Sequence, residues 1–190
     1  MDPERFERVE VTTEAALWAW LEENHVKTPG FWLVTWKRHH ASRYVSRDSV
    51  LDALIAYGWI DGRRMKLDED RTMQLMAPRR QQAWAKTYKD RADRLIAEGR
   101  MQPAGADAIA QAKTSGKWNA MAHVDALQEP RQLAEQLKAH GAQEWWNTAA
   151  PSYRRNVLRW IASGKQESTQ QRRIDTIVDH AARGQKVPQY

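Results

Sequence analysis

The chain has 190 residues, of which 42% are hydrophobic and 28% are charged. These proportions exclude a wholly disordered chain and suit one domain, or one domain with a helical extension. The sequence contains no Cys, which excludes disulfides and thiolate metal sites. It also lacks a signal-peptide core and any apolar run long enough to span a membrane. We therefore predict a cytoplasmic protein without membrane insertion.

The net charge of +6 is unevenly distributed along the chain. Residues 1–30 hold seven acidic and three basic side chains, whereas residues 151–190 hold eight basic and three acidic ones. A basic C-terminal region can attract phosphates, including those of nucleic acids. The same residues can equally form the solvated side of ordinary helices.

The first third of the chain carries helix caps, one apolar stripe per helix and one aromatic strand. Leu17, Trp20 and Leu21 have helical spacing, and 31–36 is a short aromatic and β-branched run, typical of a buried strand. The predicted elements are a helix over 15–23 capped by Thr12 or Thr13, a strand over 31–36, and a helix from Ser46 or Asp48 to Tyr57.

A hairpin is predicted after Gly58, which suits a left-handed helix cap. Asp61-Gly62 is a turn signal in isolation. However, two runs of alternating apolar residues lie on either side of residues 68–70, which places the turn there instead. Gly62 is then a bulge in the first arm of the hairpin. With the strand over 31–36, the two arms predict a small three-stranded antiparallel sheet.

Helical patterns dominate the rest of the chain. Pro78 ends the second arm, and helices are predicted over 81–98 and 103–114. Residues 116–129 are interpreted as an irregular connection. Three further amphipathic helices are predicted after it. Leu133 and Leu137 mark the first, Pro151 opens the second, and Ser168 or Thr169 caps the third.

These elements predict an α-dominant α+β protein. The predicted organisation is a core domain over 1–116, containing the sheet, and a helical C-terminal portion over 117–190 packed on it. A single domain that includes both parts is the alternative.

Asp61 is the acidic residue that stands out among apolar neighbours. In a functional interpretation it is a general base or a ligand-orienting carboxylate. In a structural interpretation it accepts hydrogen bonds from the bulge or pairs with an Arg. No second carboxylate, His or nucleophile completes an active site, so we assign no catalytic residue. The candidate ligand pocket consists of Trp59, Asp61, Arg79, Arg80 and Trp84.

Two groups of cations are candidates for binding anions. Arg79 and Arg80 are followed by a cationic flank, Lys86, Lys89, Arg91 and Arg94, close to a predicted helix start. The candidate basic surface consists of Arg154, Arg155, Arg159, Lys165, Arg172 and Arg173. No motif that reads nucleic-acid bases is present, so any such binding would be non-specific.

The adjacent histidines His39 and His40 invite a metal interpretation. Neighbouring side chains on an extended chain point to opposite faces, and the sequence beside the pair offers no acidic residue. The remaining histidines are scattered along the chain. We therefore predict no metal site and no cofactor.

Three ordered blocks of sequence resemble the YdeI/OmpD-associated family, which is described as bacteriocin-protection proteins. The blocks are Tyr57-Gly58-Trp59-Ile60-Asp61-Gly62; Ala77-Pro78-Arg79-Arg80 with Trp84 and the run from Leu95 to Gly105; and Pro151-Ser152-Tyr153-Arg154-Arg155 with Trp160-Ile161, Lys165, Thr169 and Arg172-Arg173-Ile174. The resemblance implies a small bacterial protein connected with envelope or antimicrobial-peptide resistance, and it implies no particular reaction.

Three functional hypotheses follow. The first is a non-enzymatic cytoplasmic binding or stress-protection protein whose partner is a protein or an anionic ligand. The second is a small-ligand binder or enzyme that uses the Trp/Asp/Arg pocket. The third is a non-specific nucleic-acid binder that uses the basic C-terminal surface.

Overall fold

The computed structural model describes residues 6–80 and 82–189. The chain divides into two compact units, one reaching to Asn119 and the other beginning at Ala120. Each unit has a hydrophobic core of its own. The division lies three residues from the predicted boundary, and the predicted domain organisation stays a prediction.

The first unit contains a four-stranded mixed sheet. Its strands are β1 (Arg8–Glu10), β2 (Phe31–Trp36), β3 (Trp59–Lys66) and β4 (Arg71–Pro78), in the order β1-β2-β4-β3. β1 runs parallel to β2, and the other pairs are antiparallel.

The α+β class is correct, but the three-stranded antiparallel sheet was wrong in detail because it omits β1. This strand has three residues, of which only Val9 is buried. It therefore shows too little alternation for a sequence signal. Its partner, β2, is more than twenty residues away along the chain, so the pairing is visible only in the fold.

Four helices in the first unit pack on one face of the sheet: α1 (Glu14–Asn24), α2 (Arg47–Ala56), α3 (Lys86–Ala97) and α4 (Pro103–Thr114). The side chains of Thr13 and Ser46 cap α1 and α2, as predicted. α3 begins at Lys86 rather than at Gln81, which lies outside the described residues. The backbone N–H of Trp84 donates to the carbonyl of Lys117 at 3.1 Å, so this stretch is tied to a loop instead of joining the helix.

Alternation along the strands separates an inner face from an outer face. Phe31, Leu33, Trp59 and Met76 face inward and share one core with the four helices. The outer face carries a different set of residues: Trp32, Val34, Ile60, Arg63, Met65, Met73 and Leu75. The register shifts by one residue between Asp61 and Arg64, which confirms the predicted bulge at Gly62.

Two glycines allow the helices to meet closely. Gly58 has φ +72°, as a left-handed cap after α2 requires. Gly105 lies within α4 and faces the last turn of α2. A Cβ at this position would lie 2.2 Å from the carbonyl oxygen of Ala56, so only glycine fits. Gly105 therefore serves the packing of α4 against α2 rather than a cap or a turn.

The second unit is helical throughout its described residues. Its helices are α5 (Ala122–Asp125), α6 (Arg131–Ala139), α7 (Gln143–Thr148), α8 (Pro151–Ala162) and α9 (Glu167–Ala182). The expected irregular connection contains α5, and the short helix α7 was missed, because one or two turns give no usable periodicity. Pro151 opens α8 as predicted, whereas α9 begins at Glu167, before its predicted caps.

The core of the second unit is built around aromatic and branched side chains from these helices, including Trp146, Tyr153, Val157 and Ile177. Tyr153 also uses its hydroxyl to accept a hydrogen bond from the backbone of Val187 at 3.1 Å. Among the described helices of both units, none combines the length and the apolar character needed to cross a membrane.

Candidate functional site

Asp61 lies on the inner face of the sheet, directly before the bulge in β3. The Tyr88 hydroxyl, on α3, donates a hydrogen bond to Oδ1 of Asp61. The Gln74 side-chain amide, on β4, donates to Oδ2 of Asp61 at 3.1 Å and to the carbonyl of Gly62 at 3.1 Å. Sequence reasoning proposed the bulge amides or an Arg as the partners of this carboxylate. The hydrogen bonds described here come instead from a Tyr and a Gln.

The environment of Tyr88 strongly favours its protonated form. Burial of the ring, together with the hydrogen bond to Asp61 and the negative charge of that carboxylate, raises the pKa of Tyr88 to about 12. The hydroxyl therefore holds its proton at neutral pH and acts as a hydrogen-bond donor rather than as a base. Helical spacing with Ala92 and Leu95 puts Tyr88 on the apolar stripe of α3, a pattern that carries no information about its hydroxyl.

Arg79 is a buried cation held between aromatic rings. Its guanidinium lies 4.2 Å from the ring centre of Trp84 and 4.9 Å from that of Tyr88, and the residue is 8% exposed. Nη1 donates to the carbonyls of Gln82 and Ala83 at 3.4 and 3.3 Å. Burial lowers the pKa of Arg79, and the charges of Tyr88 and Asp61 partly offset this effect.

The other predicted pocket residues are separated by the fold. Trp59 is buried in the core, where its ring lies 5.4 Å from that of Phe31. Trp84 is also buried, beneath Arg79, and Arg80 is exposed. The structure thus groups Asp61, Arg79 and Trp84 around Tyr88, whereas Trp59 belongs to the packing of the sheet.

A small cavity lies beside Asp61 on the inner face. It measures about 40 Å³, and its walls include Thr35, Arg47, Arg64 and Gln74. This volume suits one or a few water molecules, since a metabolite site usually needs about 300 Å³ or more. The geometry can therefore order water beside the hydrogen bond from Tyr88 to Asp61, but it leaves little room for a substrate.

The outer face of the sheet carries a second concave feature, which sequence reasoning missed. A groove of about 390 Å³ is lined by Arg8, Trp32, Arg63, Met65 and Met73. The guanidinium of Arg63 lies 6.0 Å from the Trp32 ring centre, and Met65 is 37% exposed. The sequence offered one signal for this surface. In a strand whose sheet has one solvated face, apolar and polar residues alternate, but residues 31–36 are apolar at nearly every position, which indicates apolar side chains on both faces.

The predicted cationic flank is largely neutralised by acidic side chains. Asp52, buried on α2, accepts hydrogen bonds from Arg91 and from Arg94, the latter at 2.6 Å. Burial by itself would raise the pKa of Asp52, but the bonds and charges of these two Arg residues outweigh it and lower that pKa. Lys86 is paired with Asp90 one turn along α3. Arg91 and Arg94 therefore join α3 to α2, and Lys86 is paired within α3, so these three cations do not form an anion site.

The candidate basic surface is also partly used within the second unit. Arg154 pairs with Glu129 at 3.1 Å, and Glu129 also accepts from the Trp146 indole at 2.7 Å. Arg173 donates to the Trp160 carbonyl and, at 2.8 Å, to the Ser163 hydroxyl. Arg159 donates to Asn156, whereas Lys165 and Arg172 are exposed and Arg155 is half-buried.

The premise used against a metal site was wrong. His39 and His40 lie in a turn rather than on an extended strand, so their side chains do not diverge. Asp70, thirty residues further along, meets both imidazoles at the turn between β3 and β4. The residues beside His39 and His40 in the sequence do not reveal this carboxylate, because the pairing of β2 with β4 brings Asp70 next to the two histidines.

Comparisons with known proteins assign the two parts of the chain to different family models. Residues 9–108 match a model described as a domain of unknown function, DUF8412. Residues 126–184 match a model described as bacteriocin-protection, YdeI or OmpD-associated. The third block of the resemblance lies in the latter range, and the first two lie in the former. A search of curated proteins and a search of solved structures each found no match.

Proposed function

Because the chain belongs to the DUF8412 family through residues 9–108 and carries a bacteriocin-protection, YdeI- or OmpD-associated domain at 126–184, we propose that it is a non-enzymatic binding protein. In this proposal it acts in the bacterial cytoplasm and protects the cell against antimicrobial stress. Its partner is a protein that docks on the outer face of the sheet.

The observation that carries the proposal is the composition of the outer face. Trp, Met and Arg are enriched at protein interfaces, and Trp32, Met65, Met73 and Arg63 occur together in one groove. Arg63 and Arg8 favour a partner whose apolar patch is edged by carboxylates. β3 is moreover an edge strand of the sheet, so this face continues to an open edge.

The inner-face site supports a non-enzymatic role. Asp61 is engaged by Tyr88 and Gln74, and the adjoining cavity of about 40 Å³ is the size of a few water molecules. A general base needs a substrate proton within hydrogen-bond reach. The small cavity does not provide that access, so the hydrogen bonds around Asp61 favour an organising role.

The proposal is tested by survival of a gene-deleted host under bacteriocin challenge. We expect deletion to lower survival, and the wild-type gene to restore it. Met65→Glu should restore it poorly, because a carboxylate there disrupts the apolar contact and opposes an acidic partner. A photo-crosslinking residue at position 65 should trap the same protein in repeated experiments. In a direct binding assay, Met65→Glu should lower the affinity for that protein.

Val26→Glu is the matched control, because Val26 is an exposed apolar residue at 79% exposure and lies away from the outer face. It should restore survival fully. The proposal fails if deletion leaves survival unchanged, or if Met65→Glu and Val26→Glu behave alike. Loss of protection in Asp61→Asn alone would favour the small-ligand hypothesis instead.

A further inference from the structure

The end of β2 and the turn between β3 and β4 are fastened together through their backbones. The N–H of Lys37 donates to the carbonyl of Asp70 at 2.8 Å, and the N–H of His40 donates to the carbonyl of Lys37 at 3.0 Å. The backbone N–H of Asp70 also donates a hydrogen bond to Oδ1 of Asp68 at 2.9 Å, which holds Asp70 in place. These bonds fix the separation between the histidine turn and the acidic turn.

Three potential metal ligands converge at this point. Nε2 of His39 lies 3.2 Å from Oδ1 of Asp70, and Nε2 of His40 lies 2.7 Å from the same oxygen. All three ligand atoms lie within 4.8 Å of one another. Bonds of about 2.0–2.1 Å to a tetrahedral Zn²⁺ place adjacent ligand atoms about 3.3 Å apart. The His39 separation already matches this value, and the His40 separation needs to open by only about 0.6 Å.

We propose that His39, His40 and Asp70 bind a divalent transition-metal ion such as Zn²⁺ or Ni²⁺. Two imidazoles and one carboxylate favour these borderline ions over Mg²⁺ or Ca²⁺, which prefer a shell of oxygen ligands. The three side chains leave at least one coordination position to water or to another ligand. The inference is independent of the proposed function, because it concerns a different surface of the first unit.

The surroundings limit the rearrangement that binding requires. The Trp36 ring lies edge-on to the imidazole of His40 at 4.8 Å and restricts its orientation. The side chains of His39, His40 and Asp70 are 59%, 34% and 51% exposed, so an ion can enter from solution.

Two cations near the site, Lys37 and Arg43, make contacts with other groups. The Lys37 ammonium donates to the carbonyls of Glu69 and, at 3.3 Å, Asp68. The Arg43 guanidinium stacks 4.8 Å from the Trp36 ring centre. A bound metal would therefore take the place of the contacts between the imidazoles and Asp70, and it would leave these Lys and Arg contacts intact.

The test is calorimetric titration of the untagged full-length protein with ZnCl₂ and NiCl₂ at pH 7.5. We expect one equivalent to bind with a dissociation constant in the micromolar range. His40→Ala and Asp70→Asn should each weaken binding at least tenfold. The matched controls are His123→Ala and His140→Ala, which remove exposed histidines of the second unit and should leave the affinity unchanged.

Electron paramagnetic resonance with Cu²⁺ provides a separate readout of the ligand set. The wild type should show hyperfine coupling to two imidazole nitrogens, and His39→Ala should show one. The proposal is overturned if the wild type binds no better than His40→Ala, or if the control variants lose the metal instead. A chelator-reversible rise in Tm with Zn²⁺, absent in Asp70→Asn, is expected even if a variant folds less stably.

Discussion

At the scale of single residues, the candidate site depends on hydrogen bonds whose donors are far away in sequence. Asp61 is oriented by Tyr88 from α3 and by Gln74 from β4, and the nearby Arg79 is enclosed by aromatic rings. Each of these groups is half-buried or buried. The proton on Tyr88 is therefore the most sensitive reporter of this arrangement.

We predict that Asp61→Asn lowers the pKa of Tyr88 from about 12 while leaving it above 10. The substitution removes the charge of the carboxylate but keeps the burial that contributes most to the raised pKa. Since the folded pKa lies above the ordinary value near 10, the corresponding stability is fully present below pH 10 and is lost as pH rises toward 12. Absorbance titration at 295 nm, with Tyr88→Phe subtracted, measures the midpoint.

Tyr88→Phe should also lower the free energy of unfolding by about 1–2 kcal/mol in urea at pH 7, because Asp61 loses a donor. Tyr44→Phe is the control, since Tyr44 is exposed and should change stability by less than about 0.5 kcal/mol. Identical Tyr88 midpoints in the wild type and in Asp61→Asn would show that the charge of Asp61 contributes nothing to the shift.

At the scale of elements, the tight contact between α2 and α4 fixes how the helices cover the sheet. Gly105 allows the backbone of α4 to approach the carbonyls of Ile55 and Ala56 at the end of α2. α2 is also held by Arg91 and Arg94 of α3, which pair with Asp52. α2 is therefore clamped by contacts to two neighbouring helices and has little freedom to shift.

We predict that Gly105→Ala lowers the free energy of unfolding by about 1–3 kcal/mol, since the added methyl group meets backbone atoms that cannot move away cheaply. Helix propensity alone would give the opposite sign, a gain of about 1 kcal/mol. Urea unfolding monitored by circular dichroism measures the change. Ala106→Gly, at the adjacent exposed position, calibrates propensity in the same helix, and a stabilised Gly105→Ala protein would refute the clamp.

Local signals in the sequence were enough to predict much of the fold. Thr13, Ser46, Gly58 and Pro151 mark helix ends through short-range capping chemistry, and the structure confirms each of them. The bulge at Gly62 also followed from the spacing of apolar residues. These features depend on residues within a few positions of one another, which is why one sequence reveals them.

Apart from the short helices α5 and α7, the missed features depend on contacts between distant segments. β1 pairs with β2 across a helix, Tyr88 reaches Asp61 from another element, and Asp70 meets His39 and His40 through the sheet. Periodicity assigns a side chain to a face but does not identify its partner there. The residue types of the candidate site could thus be predicted only in part, and its geometry could not.

At the scale of the whole molecule, the two units have different architectures and separate cores. The first combines helices with the four-stranded sheet, and the second is a group of short helices around Trp146. The family models match the units separately, over 9–108 and 126–184. This correspondence supports the hypothesis that the units are distinct folding domains.

We therefore predict two thermal transitions in calorimetry of the full-length chain. Leu54→Ala should lower only the transition of the first unit and Leu137→Ala only that of the second, because each Leu is fully buried in one core. Each substitution should cost about 2–5 kcal/mol within its unit. A single transition that both variants shift equally would contradict independent folding.

The extra residue of the bulge also links the evolution of the two sheet faces. The bulge places two residues, Gly62 and Arg63, opposite the single residue Leu75. Loss of the codon for either one would restore regular pairing between β3 and β4, and the other residues of β3 would keep their present faces. The same deletion would remove either the Arg that lies over Trp32 or the carbonyl that anchors Gln74 beside Asp61. Insertions and deletions at this point in related genes should therefore alter either the outer-face groove or the hydrogen bonds around Asp61.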